Sequence, residues 1–307
     1  MSTYSKPAIN LSAQVAKLKS RGLEIQDDAA AENCLLNVGY YRFSGYSYPF
    51  KDGPTRERFK PNTGFDQILR VYEFDRHLRL LVADAIERIE VGIRSRIVNE
   101  TSLLWGPHGY LDSSNFHRRF NHAGFIQKAE NGVTVRRNLP TGTPRLPRDH
   151  AETFIDHYYI KYGDPYLPPI WMTMEVLTLG TLSKFYMGIG DANLKAKIAG
   201  EFNVTAKVFA NWLHSLSHIR NICAHHGRLW NRAFSITPLI PAHLNGVIQN
   251  ANRFEGHAVV LVTLLNIMNH GNHWRNRLKS LLSDFPEMDP RAMGFTNNCL
   301  ELPVWNT

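Results

Sequence analysis

The side chains best suited to chemistry crowd into Ser217–Arg232, where three histidines (His218, His225, His226), three arginines (Arg220, Arg228, Arg232) and two asparagines fall within sixteen residues. The periodicity of the preceding residues predicts an amphipathic helix ending in this stretch. Setting Arg220 at zero on a wheel of 100° per residue, Trp212, Leu216, Ile219 and Cys223 fill an arc from about 260° to 320°. Ser217, Asn221, His214, His225 and His218 fill a polar arc from about 60° to 160°. Arg220 sits at the boundary, where its stem can pack and its guanidinium emerge.

Arg220 and His225 lie about 140° apart and about 7.5 Å apart along such a helix, too far round it to share one ligand easily. The spacing therefore points to a loosened helix end or to a cleft completed by a second copy of the chain. Gly227 is the expected C′ residue, which would leave His225 and His226 in the last turn, where the dipole favours imidazolium. A proton-moving histidine beside an always-charged arginine suits phosphate chemistry: imidazole shuttles the proton and guanidinium holds the developing charge bidentately. In RNA the neighbouring 2′-hydroxyl can serve as nucleophile, so neither a metal nor a protein nucleophile is needed. The plainer reading is that Arg, Asn and His cap a helix and bridge to nearby carboxylates. A third reading is a metal site, since His214 and His218 stand at i,i+4 and His225, His226 or Cys223 can add a ligand. No nearby Asp or Glu supplies the usual general base there, so no metal or cofactor is expected.

The chain carries a net charge of +8 over 307 residues, with a pI near 9.4, which favours a polyanionic partner. Residues 117–148 hold seven basic residues (Arg118, Arg119, Lys128, Arg136, Arg137, Arg145, Arg148) against the single acid Glu130. Phosphate contact and a solvated loop are the two readings of this segment. Three cysteines without paired spacing fit free thiols in a reducing compartment. The N-terminus has no signal-like apolar core, and the longest apolar run, Ala258 to Met268, falls short of the roughly 20 residues that span a bilayer. A cytoplasmic protein is expected.

The elements that must position these residues are helical. Asn10 or Ser12 caps a helix carrying Leu11, Val15 and Leu18, and Asp28 caps another from Ala29 to Val38. The aromatic stretch Gly39–Phe50, with Arg42 inside it, reads as a small helical element packed on the core rather than a base-stacking platform. Lys51–Asn62 reads as a loop. Phe65 to about Asn99 is the longest periodic run, with Leu78, Val82, Ala85, Ile89, Ile93 and Ile97 as its buried stripe. Glu73/His77, Asp75/Arg79, Asp84/Arg88 and Glu90/Arg94 are assigned to its other face as helix-supporting i,i+4 pairs. Further helices are expected over His150–Tyr162, Ile170 to about Ile189 with Pro169 at its start, Ala192–Phe202, Arg253–His270 and His273–Leu282, followed by an irregular tail. The one candidate for a small irregular hairpin lies around Asn131-Gly132. The domain organisation expected is an N-terminal helical and aromatic region over residues 1–62 packed on a helical domain over 63–307.

The segment Arg220-Asn-Ile-Cys-Ala-His-His-Gly-Arg-Leu-Trp-Asn-Arg232 resembles the signature of Abi-like (abortive infection, AbiD/AbiF type) proteins, a branch of the HEPN superfamily of helical ribonucleases. The likeness continues in Asn37-Val-Gly-Tyr-Tyr-Arg-Phe-Ser-Gly-Tyr46, in Tyr72-Glu-Phe-Asp-Arg-His-Leu-Arg79 with Ile86-Glu-Arg-Ile-Glu-Val-Gly-Ile-Arg94, and in Pro169-Ile-Trp-Met-Thr-Met-Glu-Val with Gly180-Thr-Leu-Ser-Lys184. The resemblance implies an all-α, HEPN-like multi-helix bundle and an Arg-x4-6-His motif in which Arg220 and His225 are the functional pair and Asn221 the polar residue after the arginine. The tandem His225-His226 fits the motif in two registers. It also implies metal-independent RNA cleavage at a homodimeric cleft, phage defence by abortive infection, and a structured non-coding RNA as a partner. Asn221 and His226 would orient or substitute for the pair, and Arg228, Trp230 and Arg232, with Arg118, Arg119, Arg136 and Arg137, would hold RNA. A non-cleaving RNA-binding module is the alternative from a different class.

Overall fold

The computed structural model describes residues 3, 7–53, 55–137, 153–268, 273–296 and 299–305. It is all-α: twelve helices and one two-stranded ribbon make up its regular structure among the described residues. The helices are α1 (Leu11–Ser20), α2 (Asp28–Val38), α3 (Tyr40–Ser47), α4 (Phe65–Trp105), α5 (His122–Arg137) and α6 (Phe154–Lys161). They continue as α7 (Ile170–Thr173), α8 (Leu179–Gly188), α9 (Ala192–Gly200), α10 (Ala206–Ala224), α11 (Phe254–Met268) and α12 (Trp274–Asp284).

Helix α4 is the axis of the molecule. Its 41 residues run to Trp105, six beyond the expected end, until Gly106 takes a positive φ of 75°. Leu78, Val82, Ala85, Ile89, Ile93 and Ile97 are all fully buried, and α3, α10, α11 and α12 pack around the helix. Asp84/Arg88 is a partly exposed i,i+4 pair as expected, but two other charged pairs, Asp75/Arg79 and Glu90/Arg94, do not stand apart from this core. Asp75 is fully buried, and Arg79 and Arg94 are 6% and 7% exposed. The Arg94 guanidinium donates both to Glu90 Oε1 at 2.6 Å and to the carbonyl of Leu177 at 3.0 Å. An i,i+4 spacing is equally satisfied on an inward face when a neighbouring backbone supplies further partners.

That carbonyl marks a break in the helix expected from Ile170 to Ile189. Leu177 is extended, and the Thr178 side chain starts α8 by accepting from the amide of Thr181. Two other corrections concern strands. The hairpin forms from Lys51–Asp52 (β1) paired antiparallel with Arg58–Phe59 (β2), inside the stretch read as loop. Asn131-Gly132 instead lies within α5, where Gly132 lets Val176 approach: a Cβ there would meet Val176 Cγ2 at 3.1 Å. Asp27, not Asp28, caps α2, its Oδ1 accepting from the amide of Ala30 at 3.0 Å. The expected start of the His150–Tyr162 helix falls among residues 138–152, outside the described residues; the described helix begins at Phe154 behind a Thr153/Asp156 capping box.

The C-terminal segment, expected to be irregular, forms short 3-10 turns at Pro290–Met293, Cys299–Glu301 and Pro303–Trp305 and is packed on the core. Trp305 is 1% exposed and stacks on Trp274, whose indole N–H donates to the carbonyl of Leu81 on α4 at 2.9 Å. No described helix is long and apolar enough to cross a membrane.

Candidate functional site

Helix α10 forms because its apolar positions fall on one side and Thr205 caps it, the threonine side chain accepting from the amide of Val208. Trp212, Leu216 and Ile219 are fully buried and Cys223 nearly so. Burial pushes the Cys223 thiol up to about 12, which keeps it protonated and a poor metal ligand. The polar arc is narrower than the wheel suggests. Ser217 is buried against Gly180, where a Cβ would sit 3.0 Å from its Oγ. His218 is half-buried, and burial, Arg232 and His214 hold its imidazole below the usual range. Arg220, Asn221, His225, His226 and His214 remain exposed. Among the described residues no group of three or more His, Cys, Asp and Glu side chains is arranged to hold a metal ion.

The helix ends one residue earlier than Gly227 implied. The amide of His226 donates to Cys223 O at 3.0 Å and that of Gly227 to Ile222 O at 2.7 Å, the paired bonds of a Schellman motif. His226 itself occupies the left-handed C′ position, with φ of 55°, and His225 is the cap. A non-glycine residue in that region costs about 1–2 kcal/mol, so the surroundings must hold it. They do. Arg42 Nη1 donates to the carbonyl of His226 at 2.6 Å, and Gly227 packs so closely on Ile222 that a Cβ would sit 3.0 Å from its Cγ2.

The chain beyond is tied to α4 by Asp75. Its Oδ1 accepts from the amides of Leu229 at 2.9 Å and Trp230 at 2.6 Å. Its Oδ2 accepts from the Tyr46 hydroxyl at 2.7 Å and from Arg79, which also donates to Tyr46 at 2.9 Å. Burial pushes the Asp75 carboxyl up, while Arg79, the two amides and the Tyr46 hydroxyl pull it down. Burial and the adjacent carboxylate push the Tyr46 phenol up, so it stays a donor. This network joins α3, α4 and the segment after α10 in the interior.

A groove of about 880 Å³ opens beside the α10 terminus, lined by Arg42, Arg76, Arg79, Arg94, Arg220 and His226 among others. Only Glu87 and Glu90 oppose these cations among its lining residues. Arg79 and Arg94 are consumed in ion pairs with Asp75 and Glu90, whereas Arg76 and Arg220 form none among the described residues. The groove thus brings together Arg220 and His226; His225, the residue before, is exposed but does not line it. Arg42 and Arg76 were not foreseen as site residues. Arg76 carried a signal: Tyr72 and Leu80 stand four residues to either side, so it has no i,i+4 carboxylate of the kind that Arg79, Arg88 and Arg94 have.

The remaining sequence candidates scatter. Trp230 is 7% exposed and belongs to the core, which withdraws its face from any base. Arg228 is half-buried and donates to the carbonyl of Gly45 at 3.1 Å, and Arg232 donates to Arg228 O at 3.3 Å. Arg118 and Arg119 are exposed ahead of α5. Arg136 and Arg137 close α5, but their side chains lie outside the described residues, as do Arg145 and Arg148.

A family model described as Abi-like protein matches residues 33–231, from the middle of α2 to the asparagine after Trp230. The chain belongs to the Abi-like family. The match covers α3, α4, α8, α10, the Asp75 network and the arginine-lined groove of this Abi-like protein, and the family suggests a role in abortive infection, a phage-defence response. No curated protein and no solved structure matches the chain significantly.

Proposed function

We propose that this Abi-like protein is a metal-independent RNA endonuclease of the HEPN type, acting in phage defence at a cleft completed by a second copy of the chain. The observation that carries the reading is the exposure of Arg220, Asn221 and His225 at the end of a helix whose other side is sealed in the core, next to an arginine-lined groove. In the reaction, a histidine accepts the 2′-hydroxyl proton as that oxygen attacks the adjacent phosphorus. The bond to the 5′-oxygen breaks, and this leaving oxygen takes up a proton. The products are a 2′,3′-cyclic phosphate and a 5′-hydroxyl. Arg220 holds the non-bridging oxygens as charge develops, Arg76 and Arg42 flank the strand, and Asn221 and His226 orient the pair. His225 is exposed and does not line the groove of its own chain, which supports its acting across the dimer with Arg220 of the other copy.

The same offset favours a second reading, a non-cleaving RNA-binding module with salt-dependent affinity and no turnover, because a single chain offers cations without His225 beside them. Cleavage assays on purified protein separate the two. The endonuclease reading expects RNA cleavage that survives EDTA and falls at least about 100-fold in Arg220→Ala and His225→Ala, as loss of acid–base catalysis does. Intact RNA with the wild-type protein, or activity abolished by EDTA, would sink it.

A further inference from the structure

A second pocket, of about 420 Å³, lies between the start of α5 and α8 and shares no residue with the Arg220 groove. We propose that it binds a nucleoside phosphate, with the phosphate held by Arg119, Lys128 and Lys184 and the base lying against Phe120.

Three observations converge. The first is charge. Arg119, Lys128 and Lys184 all line the pocket and are exposed, no carboxylate lines it, and none of the three cations takes part in an ion pair among the described residues. Three like charges around one concavity with no carboxylate among them make a positive site that draws in an anion. By contrast, Arg79 and Arg94 in the first groove are neutralised by Asp75 and Glu90.

The second is the aromatic wall. Phe120 lines the pocket and is supported from behind by Phe116, stacked on it with centroids 4.7 Å apart and planes 19° apart. Gly188 is what admits the ring, since a Cβ at that position would lie 2.4 Å from Phe120 Cδ2. A fixed phenyl ring with cations around it is the combination that stacks a base and holds its phosphate; such stacking contributes about 1–3 kcal/mol. The volume lies within the roughly 300–1,000 Å³ of ordinary small-ligand sites.

The third is position. Gly180 lies against Ser217, one turn before Arg220, and Lys184 follows one turn along α8. Helices α8 and α10, which carry Lys184 and Arg220, pack directly on one another. The ligand can therefore be a nucleotide of a strand lying across Arg220 or a free nucleotide. The site itself stands whether or not the chain cleaves RNA.

The test is titration calorimetry on the full chain carrying Arg220→Ala, which removes turnover, with AMP, adenosine, inorganic phosphate and single-stranded oligoadenylate. AMP should bind about tenfold tighter than adenosine or phosphate, and Lys184→Glu and Lys128→Glu should each weaken it about tenfold, as loss of a charge-assisted contact does. Both lysines are exposed, so unchanged melting confirms folding. If the ligand belongs to a strand, Lys184→Glu also lowers the oligoadenylate salt slope by about 0.7. If it is a free nucleotide, the slope stays and only AMP binding falls. The proposal is overturned if the lysine variants bind both AMP and oligoadenylate like the parent, or if phosphate binds as tightly as AMP. Failure of the endonuclease reading would appear separately, as intact RNA with the wild-type chain.

Discussion

Asp75→Asn tests whether the interior network holds the candidate site in place. The substitution keeps the shape and leaves one oxygen for the Leu229 and Trp230 amides, but it turns the other acceptor, which takes the Tyr46 and Arg79 donors, into a donor. The Arg79 guanidinium, 6% exposed, then has no counter-ion. Breaking a buried pair on one side costs about 3–5 kcal/mol, a large share of the roughly 5–15 kcal/mol that holds a domain together. At about 2 °C per kcal/mol for a chain of this size, thermal unfolding should fall by about 6–10 °C. Hydrogen exchange should accelerate first at Leu229 and Trp230, because their amides lose a charged acceptor. Replacing both partners, as Asp75→Asn with Arg79→Met, should recover part of the loss, since no uncompensated charge remains. The reasoning is refuted if Asp75→Asn costs less than about 1 kcal/mol, or if the double variant is as unstable as the two single losses combined.

The other predictions follow from the same geometry. His226→Val should lower stability by about 1–2 kcal/mol because a β-branched residue is strained at φ of 55°, whereas His226→Gly should stay within about 0.5 kcal/mol of wild type by chemical denaturation. Burial pulls His257, fully buried on α11, down from 6.5 to about 4. A depressed histidine is neutral in the fold, so its contribution is fully present above about pH 6.5 and is lost as pH falls from there towards about 4. The loss is about 3 kcal/mol in unfolding free energy, and His257→Leu should flatten that limb of the pH profile. Arg220→Ala and His225→Ala, both at exposed positions, should melt within about 1 °C of wild type while losing cleavage.

Much of the scaffold was readable from local pattern. The stripe from Leu78 to Ile97, the inward arc of α10 and the Asn10 cap each depend on residues within a turn or two, where helix geometry fixes the neighbours. The motif around Arg220 was equally local, so its exposed residues could be named without the fold. Tertiary structure decided the rest. Whether Asp75 and Arg79 support a helix surface or clamp Leu229 and Trp230 depends on partners more than 150 positions away, which i,i+4 spacing cannot reveal. Trp230 reads as a base-stacking side chain by type, yet it belongs to the core because Asp75 draws its backbone inward. His226 takes the left-handed position that Gly227 seemed to claim because Arg42, from a helix near the N-terminus, holds its carbonyl. The sequence by itself determined which residues sit at the end of α10. Only the fold decided which of them share a groove, because that depends on long-range hydrogen bonds whose partners meet only once α3, α4 and α10 are packed together.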